Sequence, residues 1–161
     1  VRLQELGDEN PLTVNRIMYT IHKKDARLIK NIGSKRFGMQ LLLRGIYIHN
    51  DLFYIHVSLS NSSNVNFDID HIRFRIADRK VAKRTALQET FVEPVRAYNA
   101  IAAVKAGETL RNVYVFQKFT IPDDKVLIMD VFEKNGGRHQ SFMIQNTDLV
   151  DAHTVEELKI R

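Results

Sequence analysis

The chain has 161 residues, 24 Lys+Arg against 19 Asp+Glu, a formal net charge of +5 at pH 7 and no cysteine. That length fits one ordinary domain, able to bury roughly 70% of the surface its unfolded form exposes, and the missing cysteines exclude disulfides, thiolate metal sites and thiol nucleophiles. With 44% hydrophobic and 27% charged residues the composition is that of a folding chain. The first element reads as a helix over about 11–25. Asn10 suits the N-cap, Pro11 the first helical position, and Val14, Ile17, Met18 and Ile21 recur on one face. A loop through Asn31, Gly33 and Ser34 follows.

From Phe37 the period becomes two. Phe37, Met39, Leu41 and Leu43 share a face, and after Arg44-Gly45 the apolar set resumes one step out of phase at Ile46 and Ile48. Asn50-Asp51 makes a two-residue turn into Phe53, Ile55, Val57 and Leu59. That turn sets Ile48 opposite Phe53 and Ile46 opposite Ile55 but would set Arg44 opposite Val57. One extra residue at Arg44-Gly45 restores Leu43 to Val57 and places His56 opposite Gly45, so the pattern predicts a β-bulge there. After a polar loop, Ser60 to Asn64, a third strand starts with Phe67 and Ile69, slips phase near Asp70-His71 and continues with Ile72, Phe74 and Ile76 inward and Arg73 and Arg75 outward.

Asp78 to Arg84 is a polar loop, Leu87 to Tyr98 is extended but interrupted by Pro94, and Ile101 to Thr109 turns at Gly107. Strands are predicted for Leu110 to Phe119, Lys125 to Glu133 and His139 to Gln145, joined by a turn at Pro122-Asp123-Asp124 and a tight hairpin at Asn135-Gly136-Gly137. The stretch from Asp151 is short, charged and helical in character. About seven short strands and one convincing helix predict a mainly β protein: an immunoglobulin-like antiparallel two-sheet β-sandwich with an N-terminal helix. The expected division is an N-terminal segment 1–30, a sandwich domain 31–150 and a C-terminal tail 151–161.

No catalytic, cofactor or metal site is expected. The six histidines, His22, His49, His56, His71, His139 and His153, fall in no i, i+3/i+4 or HxH pair. Asp68 and Asp70 share a strand face and Asp123-Asp124 lies in a turn, where carboxylates serve solvation and turn hydrogen bonds. Ser34 and Ser141 lie in no nucleophile motif, and Gly136-Gly137 leads into a strand rather than a helix. The charge is uneven: residues 1–84 carry 15 Lys+Arg and 8 Asp+Glu, residues 85–161 carry 9 and 11. Such a basic excess attracts phosphate, acidic protein surfaces or anionic lipid, or merely solvates strand faces. Arg73-Phe74-Arg75 does not make a nucleic-acid platform, because alternation turns Phe74 away from its arginines.

The stretches NIGSKRFG (31–38), LLLRGIYIHND (41–51), DRKVAKRTALQET (78–90), VRAYN (95–99), KFTIPDDK (118–125) and EKNGGRHQSF (133–142) resemble the TraN family of bacterial conjugative transposons. The resemblance covers nearly the whole chain and implies the C-terminal part of a component of a conjugative, type IV secretion-like DNA-transfer apparatus. The implied location is the periplasm or the outer membrane, and the implied partners are outer-membrane-core scaffold and lipoprotein subunits. Members of the family are longer, with an export signal and an N-terminal region. The chain begins at Val1, with no signal peptide and no apolar run near the roughly 20 residues of a spanning helix, so a processed piece is expected. The family supplies no catalytic residues. The expected contact residues are Lys35, Arg36, Arg79, Lys80, Lys83 and Arg84. The alternatives are direct DNA binding through the basic half, and a sandwich that recognises glycan or a pilus component.

Overall fold

In the computed structural model, which describes residues 6–79 and 89–158, the helix α1 runs from Pro11 to Lys24. The Asn10 side chain accepts from the Leu12 N–H at 2.8 Å, and Asp25 ends the helix in a left-handed conformation with its own N–H on the Ile21 carbonyl. The strands are β1 (Gly33–Arg36), β2 (Met39–His49), β3 (Leu52–Asn61), β4 (Phe67–Asp78), β5 (Thr90–Phe91), β6 (Arg96–Ala97), β7 (Ala103–Val104), β8 (Thr109–Gln117), β9 (Lys125–Glu133) and β10 (Gln140–Ile144). A short helix α2 (Asn146–Val150), the strand β11 (His153–Thr154) and a 3-10 turn at Val155–Leu158 complete the described chain.

Two sheets result. One has the order β1-β2-β3-β8-β6, with β11 parallel to β2, and the other the order β10-β9-β4-β5, with β7 on β4. If β2, β3, β8 and β6 take the places A, B, E and D, then β4, β9 and β10 take C, F and G, which is the strand order of the immunoglobulin sandwich. Chain connectivity agrees: the chain changes sheet between β3 and β4, returns at β6, and crosses for the last time between β8 and β9, with β7 a two-residue excursion onto β4. Between the sheets lies a core containing Leu41, Leu43, Ile46, Ile55, Phe74, Phe116, Leu127 and Val131. Phe74 meets Tyr114 and Phe116 edge-on at centroid distances of 5.1 and 4.8 Å.

The β2–β3 hairpin has the register that its apolar pattern dictates. Ile48 pairs with Phe53, Ile46 with Ile55 and Leu43 with Val57, and the ladder shifts between Leu43 and Gly45, where His56 pairs with Gly45. Asn50 and Asp51 both have positive φ, 46° and 63°, as a type I′ turn requires. The second phase slip is equally real: β4 shifts register against β9 between Ile69 and His71. β9 spans Lys125–Glu133 as expected, and the Leu87 to Tyr98 stretch divides at Pro94 into β5 and β6, which join different sheets.

Phe37 departs from the expected face. Arg36 pairs with Met39 and Lys35 with Gln40, so Phe37 and Gly38, with φ of 54° and 75°, are the turn of an extra β1–β2 hairpin, and the Phe37 side chain is 55% exposed. Periodicity could not separate a turn aromatic from a core one. The Asn135-Gly136 reversal is wider than a two-residue hairpin. β10 begins only at Gln140, opposite Val131, because Glu133 gives its N–H to the His139 ring at 3.1 Å and takes the Arg138 guanidinium at 2.7 Å. At the C-terminal end His153 and Thr154 extend the first sheet before the single 3-10 turn begins.

A second apolar layer covers the outer face of the first sheet. Val14, Ile17, Met18 and Ile21 of α1 pack with Tyr47, Tyr54, Val113 and Val115, and burying four such side chains stabilises the layer by about 2 kcal/mol each. The outer face of the second sheet has no helix across it among the described residues.

Candidate interaction surfaces

Three places combine function-bearing side chains with defined geometry. The first is the outer face of the second sheet, which no helix among the described residues crosses. Alternation along β4, β9 and β10 brings its outward side chains into cross-strand rows: Arg73 pairs with Asp130, which pairs with Ser141, and Arg75 pairs with Ile128, which pairs with Met143. Asp130 is only 3% exposed. It accepts from Arg73 Nε at 2.9 Å, Arg75 Nε at 2.8 Å and Ser141 Oγ at 2.6 Å, and Arg75 also reaches Glu89 at 2.7 Å. Burial alone would raise the Asp130 carboxyl, but hydrogen bonds from Arg75, Ser141 and Arg73 outweigh it and hold the carboxyl below its ordinary value.

Those contacts fix the arginines in place. The Arg73 guanidinium lies 4.8 Å from the Phe132 ring centroid and 5.6 Å from that of Phe91, and His71 stacks on Phe132 at 4.4 Å with its Nδ1 2.9 Å from Asp70. Phe91 and Met143 are 54% and 56% exposed. The result is a held arginine flanked by aromatic rings on an open sheet. Sequence reading placed Arg73 and Arg75 outward and Phe74 inward, and Phe74 is 3% exposed in the core. The aromatic neighbours of Arg73, Phe91 and Phe132, escaped it because they come from other strands.

The second place is the end of the sandwich formed by the β1–β2 turn and the β3–β4, β7–β8 and β9–β10 connections. Lys35 and Arg36 are exposed here on β1, and the Arg36 guanidinium lies 4.8 Å from the Phe37 ring. Buried Asn61 organises this end. Its amide donates to the Val65 and Val104 carbonyls at 2.8 and 3.0 Å, while its oxygen accepts from the Ser63 N–H and hydroxyl. Arg138 ties the β9–β10 connection to it through Glu133, Ser63 Oγ and the Asn66 carbonyl. Val65 is left 64% exposed. Arg79 is exposed at the opposite end, where its N–H meets the Asp124 carbonyl, so the structure does not bring it beside Lys35 and Arg36. Lys80, Lys83 and Arg84 lie outside the described residues.

The third place is a polar cluster beneath the C-terminus of α1. Asp25 forms ion pairs with Arg44, Nε at 2.8 Å, and with Arg111 at 3.2 Å. His56, 0% exposed, stands 3.7 Å from the same carboxylate, and neither of its ring nitrogens has a hydrogen-bond partner among the described residues. Burial pushes its pKa down to about 4, Asp25 opposing and Arg44, Arg111 and His22 assisting. The His22 imidazole is lowered too, first by burial and then by Arg111. This cluster joins helix to sheet. Among the described residues no three His, Asp or Glu side chains are grouped to hold a metal ion.

No curated protein matches the sequence. A family profile described as a domain of unknown function, DUF4138, matches residues 11–154, from the first residue of α1 to the last of β11. Helix, sandwich and closing strand thus coincide with one recurrent unit, and the chain belongs to the DUF4138 family.

Proposed function

We propose that this domain is a structural component of a conjugative, type IV secretion-like DNA-transfer apparatus in the cell envelope, at the periplasm or outer membrane, and that it acts through contacts with scaffold and lipoprotein subunits rather than by catalysis. The transfer system rests on the TraN-like strings. The mode of action rests on one observation, the open outer face of the second sheet, where buried Asp130 fixes Arg73 between Phe91 and Phe132. Aromatic and arginine side chains dominate binding at protein interfaces, most of all when their rotamers are held before the partner arrives. Tests of this reading need the full-length protein and the other transfer proteins of its system. Affinity capture is expected to retain scaffold or lipoprotein subunits, and Arg73→Ala with Phe91→Ala to release them. Capture of none of them by the unaltered protein refutes the reading. Retention of DNA that falls steeply with salt, as counterion release demands, would favour direct DNA binding through Lys35, Arg36 and their basic neighbours.

A further inference from the structure

The two ends of the sandwich differ in charge and in shape. The strand registers place the β1–β2 turn, Ser62 to Asn66, Lys105 to Glu108 and Lys134 to Arg138 at one end, and the Asn50-Asp51 turn, the β8–β9 connection and α2 at the other. Among the described residues the first end exposes Lys35, Arg36, Lys105 and Lys134 against the exposed Asp68, while its Glu133 is taken by Arg138 and the Glu108 carboxylate accepts the Lys105 N–H. At the other end five exposed carboxylates, Asp8, Asp51, Asp123, Asp124 and Asp151, face the cations Arg79 and Lys118 among the described residues, with Asp78 and Lys125 paired to each other and the Asp148 carboxylate accepting the Gln145 N–H.

Shape follows the same division. At the basic end Phe37 projects from its turn, 55% exposed. The projection is held: the Gly38 carbonyl accepts from the Ser62 N–H at 2.9 Å and from its hydroxyl at 3.1 Å. A phenylalanine with φ of 54° is strained, and a strained, exposed aromatic on a tied-down turn calls for a role outside the fold. At the acidic end the Asn50-Asp51 turn borders a cleft of about 490 Å³ with Leu6 and Leu52 beneath it and Asp8, Asp51 and Lys118 around it. That volume lies in the ~300–1,000 Å³ range of ligand-binding clefts, ample for one aromatic side chain. The Asp51–Lys118 pair is exposed on both sides, 81% and 59%, and such pairs exchange partners at little cost.

We propose that the domain associates head to tail with a second copy of itself, Phe37 entering the Asp51 cleft of the next copy with Lys35 and Arg36 against Asp8 and Asp51. The two surfaces are different patches of one chain, so the contact is heterologous and each dimer keeps one free knob and one free cleft for further copies. The inference stands on charge and shape and does not depend on the conjugation reading: failure of affinity capture leaves it intact, and its own failure leaves the outer face of the second sheet as the contact.

Sedimentation of the 161-residue chain over a concentration series tests it. The average mass is expected to rise with concentration, and the association to weaken about tenfold or more between ~0.05 and ~0.5 M salt as screening shortens. Lys35→Glu with Arg36→Glu destroys the knob end, and Asp8→Asn with Asp51→Asn the cleft end, removing its carboxylates without adding a cation that would attract the altered knob, asparagine tolerating left-handed backbone at position 51. Each double variant alone is expected to stay monomeric, and an equimolar mixture to form 1:1 dimers and nothing larger, because one intact knob and one intact cleft remain. Phe37→Gly, which suits the turn and preserves the fold, is expected to abolish association. A wild-type chain that stays monomeric throughout, a mixture that does not pair, or a Phe37→Gly chain that associates as wild type overturns the proposal.

Discussion

Acidification should loosen the helix from the sheet, and His56 sets the size of the effect. Its imidazole is fully buried in the outer layer of the first sheet, opposite Gly45 and Val113, with Asp25, Arg44, Arg111 and His22 as its charged neighbours. Folding lowers its pKa from 6.5 to about 4, so the unfolded chain binds this proton more tightly and stability falls as the pH drops below 6.5. The shift corresponds to about 3 kcal/mol in full, of which about 2 kcal/mol is lost by pH 5. That is a large part of the roughly 5–15 kcal/mol typical of a domain. Urea unfolding of the wild type and of His56→Leu, compared from pH 8 to pH 5, isolates the term. The stability difference should be flat above pH 7 and then move by about 2 kcal/mol in favour of the variant by pH 5. Parallel profiles would refute the assignment of a buried, neutral imidazole.

Three further changes test the fold. Gly45→Val should cost about 1–3 kcal/mol in thermal unfolding, because a Cβ there meets the ring of buried Tyr47 at 3.2 Å. Asp130→Asn should cost about 2 kcal/mol, since it leaves Arg73 without its counter-charge and Arg75 with Glu89 alone. It should also flatten the acid limb of the stability profile, because the lowered Asp130 carboxyl contributes stability that is present above the usual carboxylate range and lost as pH falls through its folded value. Asn112→Ala should cost about 2 kcal/mol: buried Asn112 accepts from the Asn99 N–H at 2.7 Å and donates to its carbonyl at 2.8 Å, and hydrogen exchange at Asn99 should accelerate with it.

The features that could be read from sequence are those in which one strand carries its own evidence. The bulge at Gly45 follows from two apolar runs out of phase and one turn of known length, and α1 follows from a cap, a proline and a four-residue stripe. What could not be read depends on a second segment far away in the chain. Phe37 looks like a core residue until Arg36 is known to pair with Met39. Gln140 is 1% exposed and inward, because its amide donates to the Arg36 carbonyl at 3.2 Å and its oxygen accepts from Ser34 Oγ at 2.8 Å, and nothing in QSFMI announces that. The contact surface was legible to the same degree. Arg73 could be turned outward by alternation, whereas its aromatic neighbours and its buried carboxylate belong to β5 and β9.

These buried amides explain why the interaction surfaces fall where they do. A sandwich has open strand edges that attract other chains, and here much of the edge of the first sheet is already engaged. β11 pairs β2 beside Tyr47 and Ile48, the Arg44 carbonyl accepts from Leu28 and Ile29, β1 covers Met39 to Leu42, and Gln140 bridges from the second sheet to β1. At the far side Asn112 extends the β6–β8 pairing to Asn99. With α1 over one face, the arrangement leaves side-chain surfaces: the aromatic and arginine face of the second sheet and the two unlike ends. A domain that engages much of the edge of its first sheet internally and exposes held aromatics and arginines favours partners that match it in shape and charge over partners that merely add a strand there.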